Sequence, residues 1–219
     1  MNDFFLFFKR EAMICLDHFT HYLLPLFVWL SGFFIFRLLL IHSLSMADDF
    51  LFICIWFLFL WFFALNTMGL WLYKQDLDDD LPIDIILAKK SLLAYIYAKW
   101  AGLVVFSALP LWLLSGIAMI SIEAIETSVV IIFMLGGFLF IAHLALLINF
   151  LASLTRWGKG GGFFMVIIIL PLLLPCFLFV LLMLYFNHLQ PMIFFQLAYF
   201  ILSFSFLPIA SAFIIKQEA

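Results

Sequence analysis

Long apolar runs separated by short polar breaks set the pattern of this chain. The first run, Leu23 to Ile41, has Pro25 near its start and is followed by a polar turn from His42 to Asp49. Phe50 to Leu72 is a second run, rich in Trp and Phe, before Tyr73 to Ser91 breaks the pattern with five Asp and three Lys. A third runs from Lys99 or Trp100 to Ile120, a fourth from Val129 to Leu154, a fifth from Phe163 to Phe186 and a sixth from Met192 to Ile215. Ser121 to Ser128, Thr155 to Gly162 and Asn187 to Pro191 are the turns between them. Each run is continuously apolar over about 20 residues, the helix length that crosses hydrocarbon, whereas barrel strands alternate over about 10. A helix also satisfies its backbone hydrogen bonds internally, as lipid demands. The pattern predicts an all-α integral membrane protein: six transmembrane helices in one domain over residues 1–219. Pro171 and Pro175 are expected to break the fifth helix.

The first stretch, 1–22, differs. It mixes Phe with Lys9, Arg10, Glu11, Asp17 and His18, and no small-residue cleavage site follows a short apolar core. That excludes a signal peptide and predicts an amphipathic interfacial N-terminal helix.

Composition agrees with lipid as the solvent. Of 219 residues, 68% are apolar and 11% charged, against about 45–50% and about 25% in soluble domains. Too few ionic groups exist to cover a soluble surface, and disordered chains are poor in apolar residues. The placement of charge says more than the net −3. Lys9 and Arg10 precede the first run, and Lys74, Lys89, Lys90 and Lys99 lie between the second and third. Arg156 and Lys159 lie between the fourth and fifth, and Lys216 follows the sixth. In a six-span arrangement all of these fall on one side, with Arg37 as the exception, near the far end of span one where it snorkels to water. The positive-inside rule then puts both termini in the cytoplasm.

Candidate chemistry is sparse. Cys15, Cys54 and Cys176 are scattered, odd in number and without a CxxC, which argues against disulfides or a zinc site. Gly158-Lys-Gly-Gly-Gly162 lacks the GxxxxGK[ST] spacing of a phosphate loop and leads into a span rather than following a strand. It reads as a close turn, so any ATP must be bound by a separate subunit. No GxSxG, HExxH or intramembrane carboxylate pair is present, and the chain reads as a non-catalytic subunit with no metal site. His143 lies inside the fourth run, and His42 and His188 at the outer edges of the first and fifth. Each is a weak candidate for holding haem iron; the other readings are a proton relay or a hydrogen bond to a neighbouring helix for His143, and interfacial solvation for His42 and His188. Asn66, Thr67 and Gln196 read as helix–helix hydrogen bonds.

The one large soluble feature is the segment 73–91. Asp78 to Asp80 precede Pro82, and Lys89 and Lys90 follow Leu87, the charge order that a helix dipole favours. Leu81, Ile85 and Ile86 can share a face, with Asp84 elsewhere. This predicts a short coupling helix along the inner membrane surface, with an apolar ridge between opposite charges that fits a groove on a soluble partner. Asp79, Asp84, Ile85, Lys89 and Lys90 are its candidate contacts; a solvated charged loop is the other reading.

In three places the sequence resembles the haem exporter permease family of cytochrome c maturation, the B subunit of that ABC-type complex. Lys9-Arg10-Glu11 followed by Leu24-Pro25-Leu26 is similar to the family's charged start and Asn-Pro-Leu entrance, with Leu24 in place of Asn. Lys74 to Ala98-Lys99-Trp100 is similar to its acidic loop ending in Ala-Lys. Gly161-Gly162, eight apolar residues, then Pro171-Leu-Leu-Leu-Pro175 is similar to its glycine pair and proline spacing after a basic turn. The loop departs from the family: Asp80 stands about where Gly would be, and Ala88-Lys89 where Ser-Pro would be. The resemblance implies an ABC-2 type permease in a bacterial cell inner membrane. It implies four partners besides the bilayer: a cytoplasmic ABC ATPase, a multi-span haem-handling subunit with a tryptophan-rich motif, a small one-span subunit and a periplasmic haem chaperone. Haem b is then the transported or handled ligand, and ATP acts only through the partner; no nucleic acid is involved. The rivals are an ABC-2 exporter of lipid or another small hydrophobic substrate, a scaffold, and an ion channel.

Overall fold

The computed structural model describes residues 2–43, 49–69, 91–121, 127–155, 161–186 and 189–218. Every regular element among them is helical: α1 (Asn2–Asp17), α2 (Phe19–Ser43), α3 (Asp49–Gly69), α4 (Leu92–Leu103), a π-turn (Val104–Ala108), α5 (Leu109–Ile120), α6 (Thr127–Thr155), α7 (Gly161–Phe186) and α8 (Leu189–Glu218). Three described helical stretches are long and apolar enough to cross a membrane: Leu92–Ile120, Val130–Leu154 and Pro191–Lys216. Counting the bent pair α1–α2 as one span makes four, and Phe52–Met68 and Pro171–Met183 are shorter apolar helices. A membrane protein is therefore supported by length and composition.

Ring and hydrogen-bond contacts fix the directions of the long helices. Trp29 meets Phe57 while Phe36 meets Phe52, so α2 and α3 are antiparallel. The Trp112 indole donates to Met134 O (2.9 Å) and the Asn149 amide to Ile96 O (3.1 Å), so α4–α5 runs against α6. Tyr199 donates to Leu172 O (2.9 Å) and Phe179 stacks on Phe195, which makes α7 and α8 antiparallel. Gln196 donates to Gly136 O (2.9 Å) and Phe200 meets His143, so α8 runs parallel to α6. The directions alternate, and the start of the bent pair α1–α2, the end of α3, the start of α4, the end of α6, the start of α7 and the end of α8 share one end of the bundle. The centre is α6: 72% of its apolar window is buried, against 22% for α8.

Most of these cross-links share one design. A helix carbonyl already accepts one backbone N–H but keeps a second lone pair. Indole, amide and phenol donors on neighbouring helices take it up, Trp100 to Ala142 O (3.2 Å) and Tyr97 to Phe204 O (3.1 Å) among them. Small residues let the helices close in. A Cβ on Gly137 would lie 2.7 Å from Cη2 of buried Trp61, whose indole N–H donates to Ser115 Oγ at 2.7 Å.

Two expectations change. Helix α4 starts at Leu92, seven residues before the expected start of the third span, with Ser91 as N-cap accepting from the Ala94 N–H (3.4 Å). Lys99 reads in sequence as a polar boundary, but it is buried inside the helix because Glu11 neutralises it. Helix α7 runs unbroken through Pro171 and Pro175. The Tyr199 hydroxyl bonds Leu172 O, in the turn between the two prolines, so α8 braces that turn.

Replacing Gly137 with Ala forces a rigid indole to move. The expected cost is about 1–3 kcal/mol, the scale of core overpacking, read as a lower thermal midpoint by tryptophan fluorescence in detergent. An unchanged midpoint would show that α3 and α6 are not in contact there.

Candidate functional site: the α1–α4 clamp and the α6–α8 seam

The clamp begins with the sequence of α1. Phe7, Glu11, Ile14 and Cys15 are buried at helical spacing, while Phe5, Leu6, Lys9, Met13 and Leu16 are exposed. The buried stripe lies along α4. The Ser91 N–H points at Asp3 Oδ2 (3.5 Å), the Phe7 ring meets the Tyr95 ring edge-on (5.5 Å), and Glu11 Oε1 lies 3.2 Å from Lys99 Nζ. Each step of four residues along α1 meets a step of four along α4, so the two helices run parallel and in register. Gly102 leaves room for the carboxylate; a Cβ there would stand 3.2 Å from Glu11 Cβ.

The Glu11 and Lys99 side chains are each 3% exposed. Taking either charge out of water alone is expensive, and attraction between them offsets that cost only when both are present. The Tyr95 ring face lies 5.4 Å from Lys99 Nζ and adds a cation–π contact. The 3.2 Å approach is an ion pair by distance, but Glu11 Oε1 lacks hydrogen-bond alignment; we therefore read it as electrostatic rather than directional.

The second polar group is the α6–α8 seam. His143 is fully buried, with its ring stacked on Tyr199 (4.8 Å) and tilted against Phe200 (6.2 Å). Neither ring nitrogen has a hydrogen-bond partner among the described residues, and Gln196 Oε1 also lacks one. One turn from His143, Phe140 lines a cavity of about 480 Å³ between α3, α6 and α7, together with Phe59, Phe62, Pro171 and Phe177. All the lining side chains are apolar.

These facts test the haem expectation at His143. A haem needs room for its macrocycle beside a ring nitrogen and cations for its two carboxylates, but His143 is fully buried and the neighbouring cavity offers no charge. The described residues do not fit a haem seat. The side chain of His42, in the last turn of α2, and the whole of His188 fall outside the described residues. So do Asp79, Asp84, Ile85, Lys89 and Lys90, and with them the predicted coupling helix apart from Ser91. Among the described residues no group of three or more His, Cys, Asp or Glu gathers to hold a metal.

The remaining signature residues spread along the bundle. Arg10 is half-buried on α1 and Pro25 is buried in α2. Gly161 and Gly162 open α7, and Pro171 and Pro175 lie further along it. Of the residues singled out from sequence, the fold pairs Lys99 with Glu11 and brings Gln196 to α6. Thr67 instead bonds Ala64 O in its own helix (2.6 Å), and Asn66 Oδ1 has no partner among the described residues. The roles of Glu11, Tyr95 and Gly102 are new from the structure; the stripe Phe7-Glu11-Ile14 was the only sequence signal for them. No protein-family model and no curated protein matches the chain.

Lys99→Met alone leaves Glu11 buried and uncompensated, at an expected cost of about 3–5 kcal/mol. The double change Glu11→Leu with Lys99→Met should recover most of that loss in thermal unfolding. Equal midpoints for the single variant and the parent would show that the pair is not buried. His143→Phe should lower stability by no more than about 1–3 kcal/mol, the scale of overpacking a buried site, and leave any co-purified haem absorbance unchanged; loss of haem would restore the histidine as a ligand.

Proposed function

We propose that the chain is the six-span, ABC-2 type membrane subunit of a complex that delivers haem to a periplasmic chaperone at the expense of ATP. A partner ATPase would hydrolyse the ATP, and this subunit would transmit the motion. The observation that carries this reading is the shared end of the alternating helices. It gathers the end of α3 and the start of α4 that flank the 74–90 segment, the start of α1 at Asp3, and the end of α8 with Lys216. With six spans, that end is cytoplasmic by the positive-inside rule. The acidic-then-basic segment then faces a cytoplasmic partner, while α1 runs alongside α4 rather than flat on the membrane surface. The quoted resemblance supplies the identity of the cargo.

A transmitting role fits better than a haem conduit, because Trp61, Trp100, Trp112, Asn149, Gln196 and Tyr199 each bond an acceptor on a neighbouring helix rather than line a lumen. A haem-handling subunit and a one-span subunit would complete the assembly in a bacterial inner membrane. The apolar cavity beside Phe140 favours a second reading, an exporter of lipid or another small hydrophobic molecule. The two differ in what stimulates ATP hydrolysis by the purified complex: haem and its chaperone, or lipid.

Asp84→Lys combined with Lys89→Glu should reduce co-purification of the ATPase in mild detergent about tenfold or more, the scale of about 1.4 kcal/mol. Undiminished co-purification, or labelling that puts residues 74–90 on the periplasmic side, would overturn the proposal.

A further inference from the structure

We infer that α1 and α4 move as one lever, hinged at a single level where the elbow between α1 and α2 wraps the π-turn after α4. The direction in which it is pushed rests on the function proposed above; the rigid pair and its hinge do not.

Three observations build the lever. The first is the in-register clamp: Asp3 at Ser91, Phe7 on Tyr95, Glu11 on Lys99 and against Gly102. A parallel pair held at successive turns, with a buried ion pair in the middle, slides or separates only by stranding a charge. The second is that both helices are interrupted just beyond the clamp. The chain bends by 63° between Asp3–Asp17 and Tyr22–Arg37. The α4 ladder gives way to the π-turn Val104–Ala108, where the Leu109 N–H reaches back to Val104 O. Pro110 follows at once. Its ring would clash with the carbonyl four residues back, that of Phe106, and the wider π-turn relieves the clash.

The third observation ties the two breaks together. Phe106, inside the π-turn, stacks on Phe8 (6.1 Å) and meets Tyr22 edge-on (6.2 Å). Phe8 is on α1 and Tyr22 on α2, so one ring occupies the inside of the elbow. Ser107 beside it is buried, and its hydroxyl has no partner among the described residues. The far end of the lever is Ser91, the first described residue after the 74–90 segment. A push on that segment would turn α1 and α4 together about Phe106, moving α2 relative to α5.

Hydrogen exchange by mass spectrometry on the full chain in lipid nanodiscs tests the lever without any partner. Glu11→Gln should speed exchange roughly tenfold in both 3–15 and 92–103, and change 22–37 and 109–120 by less than about twofold. Faster exchange in 3–15 alone, or in all four stretches equally, overturns the inference. Should Glu11→Gln fail to fold, Asp3→Cys with Ser91→Cys gives the converse test. The cross-link should slow exchange in both arms and leave 104–108 unchanged; slowing in one arm only overturns the lever. Pro110→Ala removes the cause of the π-turn and should slow exchange across 104–108; unaltered exchange there would place the hinge elsewhere. In complex with the ATPase, Pro110→Ala should reduce haem-stimulated hydrolysis while leaving ATPase co-purification intact, and full stimulation would overturn the coupling of hinge to engine. An ATPase that never co-purifies would defeat the proposed function and leave the exchange results standing.

Discussion

An ammonium group in an oily interior must find a negative partner or leave, and much of the architecture follows from how Lys99 meets that demand. Its position on α4 is buried, and Glu11 stands opposite with a compensating charge. Glu11 in turn reaches that place because Gly102 has no side chain and because Phe7 and Tyr95 set the register one turn earlier. A stretch that would otherwise be a loosely held amphipathic helix is thereby fastened to the first half of a span. The same pair explains why the helix begins before the lysine rather than after it.

The rest of the bundle obeys a softer form of the rule. Lipid gives little reason for apolar helices to associate, since hydrocarbon is as good a neighbour as Leu. Specificity comes from close approach and from donors that have nowhere else to go. Trp61, Trp100, Trp112, Asn149, Gln196 and Tyr199 each reach an acceptor on another helix. Each such bond is worth about 1 kcal/mol or less in a membrane, so no single one decides the fold. Together they fix which helices are neighbours, with α6 in contact with α3, α4, α5, α7 and α8.

The helices were legible in the sequence because hydropathy is a local property: a run of about 20 apolar residues needs no knowledge of the rest of the chain. The start of α4 was not, because it depends on a carboxylate far away in sequence. A lysine read alone marks water, and only its pairing with Glu11 reverses that. The unbroken course of α7 was hidden for the same reason, since the Tyr199 hydroxyl that braces the turn between its two prolines comes from another helix. Gln196 was legible as a cross-link because an isolated amide in an apolar run has few other uses. The π-turn went unread: Pro110 lies inside the third run, and the form the distortion takes depends on the aromatic rings packed around Phe106.

Where the described polar groups sit bears on mechanism. A pore or a cargo channel would gather polar side chains around a lumen, whereas Asn149, Gln196, Trp100 and Trp112 point into seams between adjacent helices. His143 is enclosed by Tyr199 and Phe200. Away from the apolar cavity beside Phe140 such an interior is closely packed, and packed interiors pass a displacement on by switching between arrangements rather than by deforming smoothly. A body of that kind is suited to carrying a stroke from one face of a membrane to the other. For the stroke to begin, some part must be free to turn against the remainder. The π-turn and the α1–α2 elbow, sharing the Phe106 ring, are the place where two backbone interruptions coincide in space. A stiff bundle with paired joints at one level is the mechanical arrangement that the proposed transmitting role requires.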